Sequence, residues 1–122
     1  MRALTETVVK ECKKRLITAK EEILNRVQST RQELVSDEKG GDEADQTVRI
    51  LAETEMMLQQ ERMRRQLLEI ELALSRIAHG NYGICEETEE IIEVDRLLAI
   101  PWTRLSIEGA ELRESLAKRY VR

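Results

Sequence analysis

The chain has 122 residues, of which 2% are aromatic and 36% charged, with a formal net charge of −4. That length allows one domain or one domain with an extension, and a composition led by Ala, Leu, Glu, Arg and Ile belongs to long helices rather than to a thick globular core. The acidic balance excludes a general nucleic-acid binder with a basic face. No apolar run is long enough to span a membrane, the N-terminus lacks a signal-peptide core, and two distant cysteines make no disulfide framework, so a reducing, cytoplasmic location is expected.

From Leu4 the positions Val8, Cys12, Leu16, Ala19, Ile23, Val27, Thr30 and Leu34 fall in steps of three and four. They describe one face of a helix about 50 Å long. Asp37-Glu38-Lys39-Gly40-Gly41 breaks it, because adjacent glycines lower helix propensity and permit a reversal. The period resumes at Ala44, Val48 and Leu51 and runs on through Met63, Leu67, Ile70, Leu74 and Ile77. A slip to five between Leu58 and Met63 predicts a local change in the packing seam. Two such helices joined by a short Gly-rich link predict an antiparallel coiled-coil hairpin over residues 1–79, with its tip at about 36–47.

His79-Gly80-Asn81-Tyr82-Gly83 ends the second helix, with Gly80 suited to a left-handed C-cap and His79 placed where the helix dipole favours positive charge. Residues 80–106 are expected to form a small finger-like module with one helical turn at Val94–Ala99, stopped by Pro101. Residues 107–122 read as a C-terminal helix with Leu112 and Leu116 at helical spacing and a basic end at Lys118, Arg119 and Arg122. The fold class is therefore mainly α: a long antiparallel coiled-coil hairpin, a small finger-like globular module and a C-terminal helix.

The module carries the outline of a zinc ribbon without its ligands. Cys85-Glu86-Glu87-Thr88, seventeen residues, then Ser106-Ile107-Glu108-Gly109 reproduces C-x2-C…C-x2-C spacing. The four ligand positions read Cys85, Thr88, Ser106 and Gly109, so one thiolate remains, and hydroxyls and a bare glycine cannot close a tetrahedral zinc site. The predicted cofactor content is none. The apolar residues of the module, Trp102 among them, are expected to offset the lost metal by packing, with Thr88 and Ser106 hydrogen-bonding across the gap.

At the hairpin tip, Asp37, Glu38, Asp42, Glu43 and Asp45 put five carboxylates within nine residues. Asp42 as N-cap and Asp45 three residues on form a variant capping box at the positive helix end. Other candidates point to structure. His79 is the only histidine, which excludes a His-based metal site or a Ser-His relay, and Cys12 lies on the apolar stripe as a small buried hydrophobe. Met56, Met57 and Met63 read as packing. No nucleophile has a base beside it and no Gly-rich loop cradles phosphate, so the chain is not read as an enzyme.

Gly80-Asn81-Tyr82-Gly83-Ile84-Cys85-Glu86-Glu87, then Ile92, Val94, Arg96-Leu97, Ala99, Pro101 and Leu105-Ser106-Ile107-Glu108, resemble the DksA/TraR family of C4-type zinc-finger transcription factors. Asp42-Glu43-Ala44-Asp45-Gln46-Thr47 matches that family's D-x-x-D-x-A tip signature. The resemblance covers about residues 36–117 and implies a regulator that binds RNA polymerase without binding promoter DNA. In that picture the hairpin enters the secondary channel and Asp42 and Asp45 approach the active site, with Thr47 at the family's small Ala position. A transcript-cleavage factor of the same geometry and a purely structural hairpin scaffold are the alternatives. The resemblance also implies a soluble monomer with no membrane partner. The positions matching the family's ppGpp-binding basic residues read Glu69, Ile100 and Ala110, and a carboxylate there repels a polyphosphate, so an alarmone-independent regulator is expected.

Overall fold

The computed structural model describes residues 4–36 and 43–120. Four helices follow one another: α1 Glu6–Ser36, α2 Glu43–His79, α3 Val94–Ala99 and α4 Ile107–Tyr120. The three-and-four spacing thus produces two long helices of 31 and 37 residues, α1 and α2, that pair in coiled-coil fashion. The short turn and the terminal helix stand where their apolar spacing and Pro101 put them. No described helix is long and apolar enough to cross a membrane.

The chain divides into two compact units, one made of residues up to Thr18 with those from Glu69 onward, the other of Ala19–Leu68. The first holds nearly all of the buried core: Cys12, Leu16, Ile70, Ala73, Tyr82, Cys85, Ile92 and Leu97 are all under a tenth exposed. Burying an aliphatic side chain of that kind contributes about 1.5–3 kcal/mol. The second unit is thin, as a two-helix layer must be. Ile23 is buried in it, whereas Val48, Leu51 and Leu58 are 65, 63 and 58% exposed.

The end of α2 shows how the sequence closes a helix. Gly80 has φ +79 and donates its N–H to the Ile77 carbonyl at 3.2 Å, while Asn81 N–H reaches the Arg76 carbonyl at 3.0 Å. These are the two bonds of a Schellman motif, whose left-handed residue is nearly always glycine. No atom lies within 4 Å of where a Gly80 Cβ would be, so backbone conformation rather than space demands glycine there.

Between α2 and α3 the chain makes a tight loop. Ile84 and Ile91 form an antiparallel bridge, with Ile92 N–H on the Gly83 carbonyl at 2.8 Å and Cys85 N–H on the Glu90 carbonyl at 2.8 Å. The loop docks on α1 and α3. Tyr82 is buried and donates its hydroxyl to the Pro101 carbonyl at 2.8 Å. Burial first, then the neighbouring Cys12, pushes its ionisation far above the ordinary range for tyrosine. On α1, Cys12 Sγ points to the Leu97 carbonyl at 3.7 Å and Arg15 Nη1 donates to the Leu98 carbonyl at 2.6 Å. The first helix thereby satisfies carbonyls at the end of α3 that have no partner within so short a helix.

Two expectations about packing change. Trp102 is only half-buried, and the aromatic anchor of the module is Tyr82. The apolar run of the module is also less buried than its composition promises, since Ile84, Val94 and Ile107 are 41, 40 and 51% exposed. A module this small has more surface than interior, so most of its side chains cannot be enclosed.

Candidate functional site

The four positions of the degenerate finger meet at one point. Cys85 lies in the loop after α2 and is 1% exposed; Ser106 immediately precedes α4 and is 5% exposed; Gly109 is buried in the first turn of α4. Ser106 Oγ donates to Cys85 Sγ at 3.4 Å and accepts the Gly109 N–H at 3.0 Å. It is therefore the N-cap of α4, its side chain satisfying a helix N–H that would otherwise lack a partner. Glu93 adds a second cap, its Oε2 accepting the Ile107 N–H at 3.1 Å.

Gly109 is there for space. A Cβ on it would run into Cys85 Sγ and lie 3.3 Å from Ser106 Oγ and 3.4 Å from the Cβ of Glu87. The volume in which a fourth ligand would start is filled by the surviving sulfur. Thr88 closes the remaining side, its hydroxyl and backbone bonding to Cys85 while its oxygen also accepts the Glu90 N–H at 3.3 Å.

These contacts set the chemistry of the thiol. Burial pushes its pKa up, but the Ser106 and Thr88 hydroxyls, followed by the backbone N–H groups of the same residues, more than reverse that and hold it at about 6. A position at the start of a helix favours the thiolate in the same direction. Zinc requires four donors such as thiolate, imidazole or carboxylate. This pocket offers one sulfur, two hydroxyls and a glycine, and among the described residues no three of His, Cys, Asp and Glu come together to hold a metal. The residues present do not fit zinc.

A chain of charges ties the collapsed finger to its neighbours. Arg104 donates twice to Glu69 on α2, Nε to Oε2 at 2.8 Å and Nη2 to Oε1 at 2.7 Å, and its Nη1 lies 3.8 Å from Glu86. Arg113 on α4 then bonds Glu86 at 3.1 Å and Glu87 at 2.7 Å. Arg104 and Glu87 are 32 and 29% exposed and the other groups a third or more, so each pair is worth at most about 1 kcal/mol. Their effect is chiefly orientation, because the planar fork of arginine fixes a carboxylate in two directions. Sequence reading singled out Glu69 but not Arg104 or Arg113. The hydrogen-bond partner of Arg104 lies 35 residues away and those of Arg113 lie 26 and 27 away, beyond the reach of any local pattern.

The tip residues stand apart from this cluster. Asp42 lies outside the described residues. Asp45 and Thr47 belong to the first turns of α2 and are exposed. Ile100 and Ala110, the other positions matched to an alarmone pocket, are half-buried, and the Glu69 carboxylate is held by Arg104 in two bonds.

Residues 80–114 match the family profile described as the prokaryotic dksA/traR C4-type zinc finger. Over 105 residues the chain is 36% identical to the RNA polymerase-binding transcription factor DksA of Caulobacter vibrioides, covering 84% of this chain and 72% of that protein. The solved structure of transcription factor DksA2 from Pseudomonas aeruginosa superposes with a TM-score of 0.84 at 33% identity, covering 93% of this chain and 88% of the other. The RNA polymerase binding protein and transcriptional regulator Dks from Chlamydia trachomatis has the same fold at a TM-score of 0.56 and 21% identity, over 92% and 93% of the two chains.

Proposed function

The chain belongs to the DksA/TraR family, and on that premise we propose that it binds RNA polymerase and regulates transcription from the enzyme's secondary channel. The observation that carries this reading is the likeness to DksA2 over nearly the whole chain at 33% identity, supported by the DksA of Caulobacter vibrioides at 36%. The hairpin tip is the working end. Asp45, in the first turn of α2 and exposed, approaches the polymerase active site with Asp42, and Thr47 sits beside them. The contact is with polymerase and not with promoter DNA, in keeping with a net charge of −4.

The finger-like module serves this function without metal. Cys85, Thr88, Ser106 and Gly109 close on one another directly, and the Arg104 and Arg113 ion pairs hold the loop to α2 and α4. The regulator is also independent of ppGpp at the finger-side positions. Glu69, Ile100 and Ala110 present no cationic side chain, and the arginine on Glu69 is already engaged.

The test is binding to purified core polymerase and regulation of a responsive promoter, with wild-type chain and with Asp45→Asn. The reading requires a stable complex with both proteins and loss of regulation with the variant at equal occupancy. Absence of any complex would leave a structural scaffold. Release of short 3′ RNA fragments from stalled elongation complexes would make the chain a cleavage factor.

A further inference from the structure

The two apolar periods of α2, broken between Leu58 and Met63, lie on different faces of the helix. In the unit Ala19–Leu68 the seam toward α1 is marked by Arg49, Met56, Gln60, Met63 and Leu67, which are half-buried and follow one another at intervals of seven, four, three and four. Leu51, Thr54, Leu58, Glu61, Arg65 and Leu68 make a second stripe in steps of three and four, and all six are exposed. From Leu51 to Arg65 each stands two residues from a seam position, about 200° round the helix, so the stripe looks away from α1. Leu51, Leu58 and Leu68 are more than half exposed, as are Ile50 and Met57 beside them. A surface helix ordinarily keeps its leucines on the seam and its back polar. Here Arg49 and Gln60 take seam positions while three leucines stand on the back. Apolar residues scattered singly need no explanation, but a run of them at heptad spacing along about 25 Å of helix is a surface for another helix.

The charges within the stripe select the occupant. Glu61 and Arg65 lie in its middle, with Leu58 before them and Leu68 after. Against a parallel copy of the same helix, in register, Glu61 would meet Glu61 and Arg65 would meet Arg65, which repel. Against an antiparallel copy centred at the level of residue 63, Glu61 of each faces Arg65 of the other. That same register sets Leu58 against Leu68 on both sides of the centre. One arrangement therefore matches the opposite charges and the leucines together. Within a single chain the two charges are held loosely, at 3.6 Å with side chains 73 and 48% exposed, so exchanging that contact for one to a second copy gives up little.

We propose that this back face of α2 binds a second copy of the chain as an antiparallel, twofold pair. The contact is isologous, each copy offering the same patch, so two copies close it and no longer assembly grows from it. The pair requires no polymerase, and it departs from the monomer that the family resemblance implies. A single helix stripe is small beside the about 800 Å² per partner of a standard interface, so the pair is expected to be half-formed only at about 0.1 mM.

The experiment is sedimentation equilibrium of the purified chain from about 5 µM to about 1 mM. Wild type should pass from monomer to dimer and no further. Glu61→Arg alone and Arg65→Glu alone each set like charges across the twofold and should weaken association about tenfold or more. An equimolar mixture of those two variants puts opposite charges back at both contacts and should associate as well as wild type. Leu58→Gln should also weaken the pair about tenfold, whereas Leu24→Gln, at an exposed leucine of α1, should leave it within about twofold. All of these positions are exposed, so melting curves should stay close to wild type. A mixture no better than its components, equal damage from Leu24→Gln, or association growing past the dimer would overturn the proposal. So would a wild type still monomeric at about 1 mM; if Leu58→Gln then loosened the hold on core polymerase, the face would belong to that enzyme instead.

Discussion

Replacing Gly109 with alanine separates two physical effects of opposite sign. Gly109 is a helical residue of α4 without positive φ, so helix propensity alone makes alanine more stable by about 1 kcal/mol. The new Cβ, however, meets Cys85 Sγ and sits 3.3 Å from Ser106 Oγ, the atom that caps the same turn through the Gly109 N–H. Overpacking of this kind costs about 1–3 kcal/mol, and displacing the cap costs a further 0.5–2 kcal/mol or so. The net expectation is a loss of about 1–3 kcal/mol, read by circular dichroism as a Tm lowered by about 4 °C for each kcal/mol. Gly109→Ala in a Cys85→Ala background should be much milder, since the sulfur it strikes is gone, and a coupling of about 1 kcal/mol or more is expected. A Gly109→Ala protein that melts at or above the wild type would refute the picture of a sulfur filling the place of a lost ligand.

Elemental analysis of the dialysed protein should find far less than one zinc per chain, and chelator should leave its melting curve unmoved, whereas a metal-held finger unfolds. The Cys85 thiolate absorbance should titrate near pH 6 against an ordinary value of 9.0. Because the unfolded chain then carries a proton that the folded chain has released, stability should rise by about 1.4 kcal/mol per pH unit across that window and be lost as pH falls through 6. A midpoint above pH 8, or a stability profile unchanged by Cys85→Ala, would contradict the hydrogen-bond geometry. Regulation should be indifferent to ppGpp on a polymerase whose other alarmone site is disabled; clear synergy with ppGpp there would refute the reading of Glu69, Ile100 and Ala110.

The architecture was legible because its signals are local. Apolar steps of three and four mark α1 and α2, Gly80 marks the end of α2, and Pro101 closes the short turn at Val94–Ala99. The departure of the finger was legible for the same reason, since the spacing of Cys85, Thr88, Ser106 and Gly109 survives the loss of their chemistry. What fills the site was not. That Ser106 caps α4 was open to view as a serine directly before a helix, but its second bond to Cys85 spans 21 residues. Arg104 on Glu69 spans 35, and charged residues on a polar chain carry no mark of their partner. The choice of Tyr82 over Trp102 as anchor turns on a hydroxyl reaching the Pro101 carbonyl, a consequence of tertiary fit rather than residue type.

The central claim is that the hairpin tip works inside polymerase, and a crosslink from the tip tests it most directly. Val48 is 65% exposed and follows Thr47 in the chain, so a photoreactive residue in its place probes the surroundings of the tip. With core polymerase, the crosslinked peptides should map to the walls of the secondary channel near the active site. A complex that forms with full occupancy yet crosslinks only to outer surfaces of the enzyme would contradict the account.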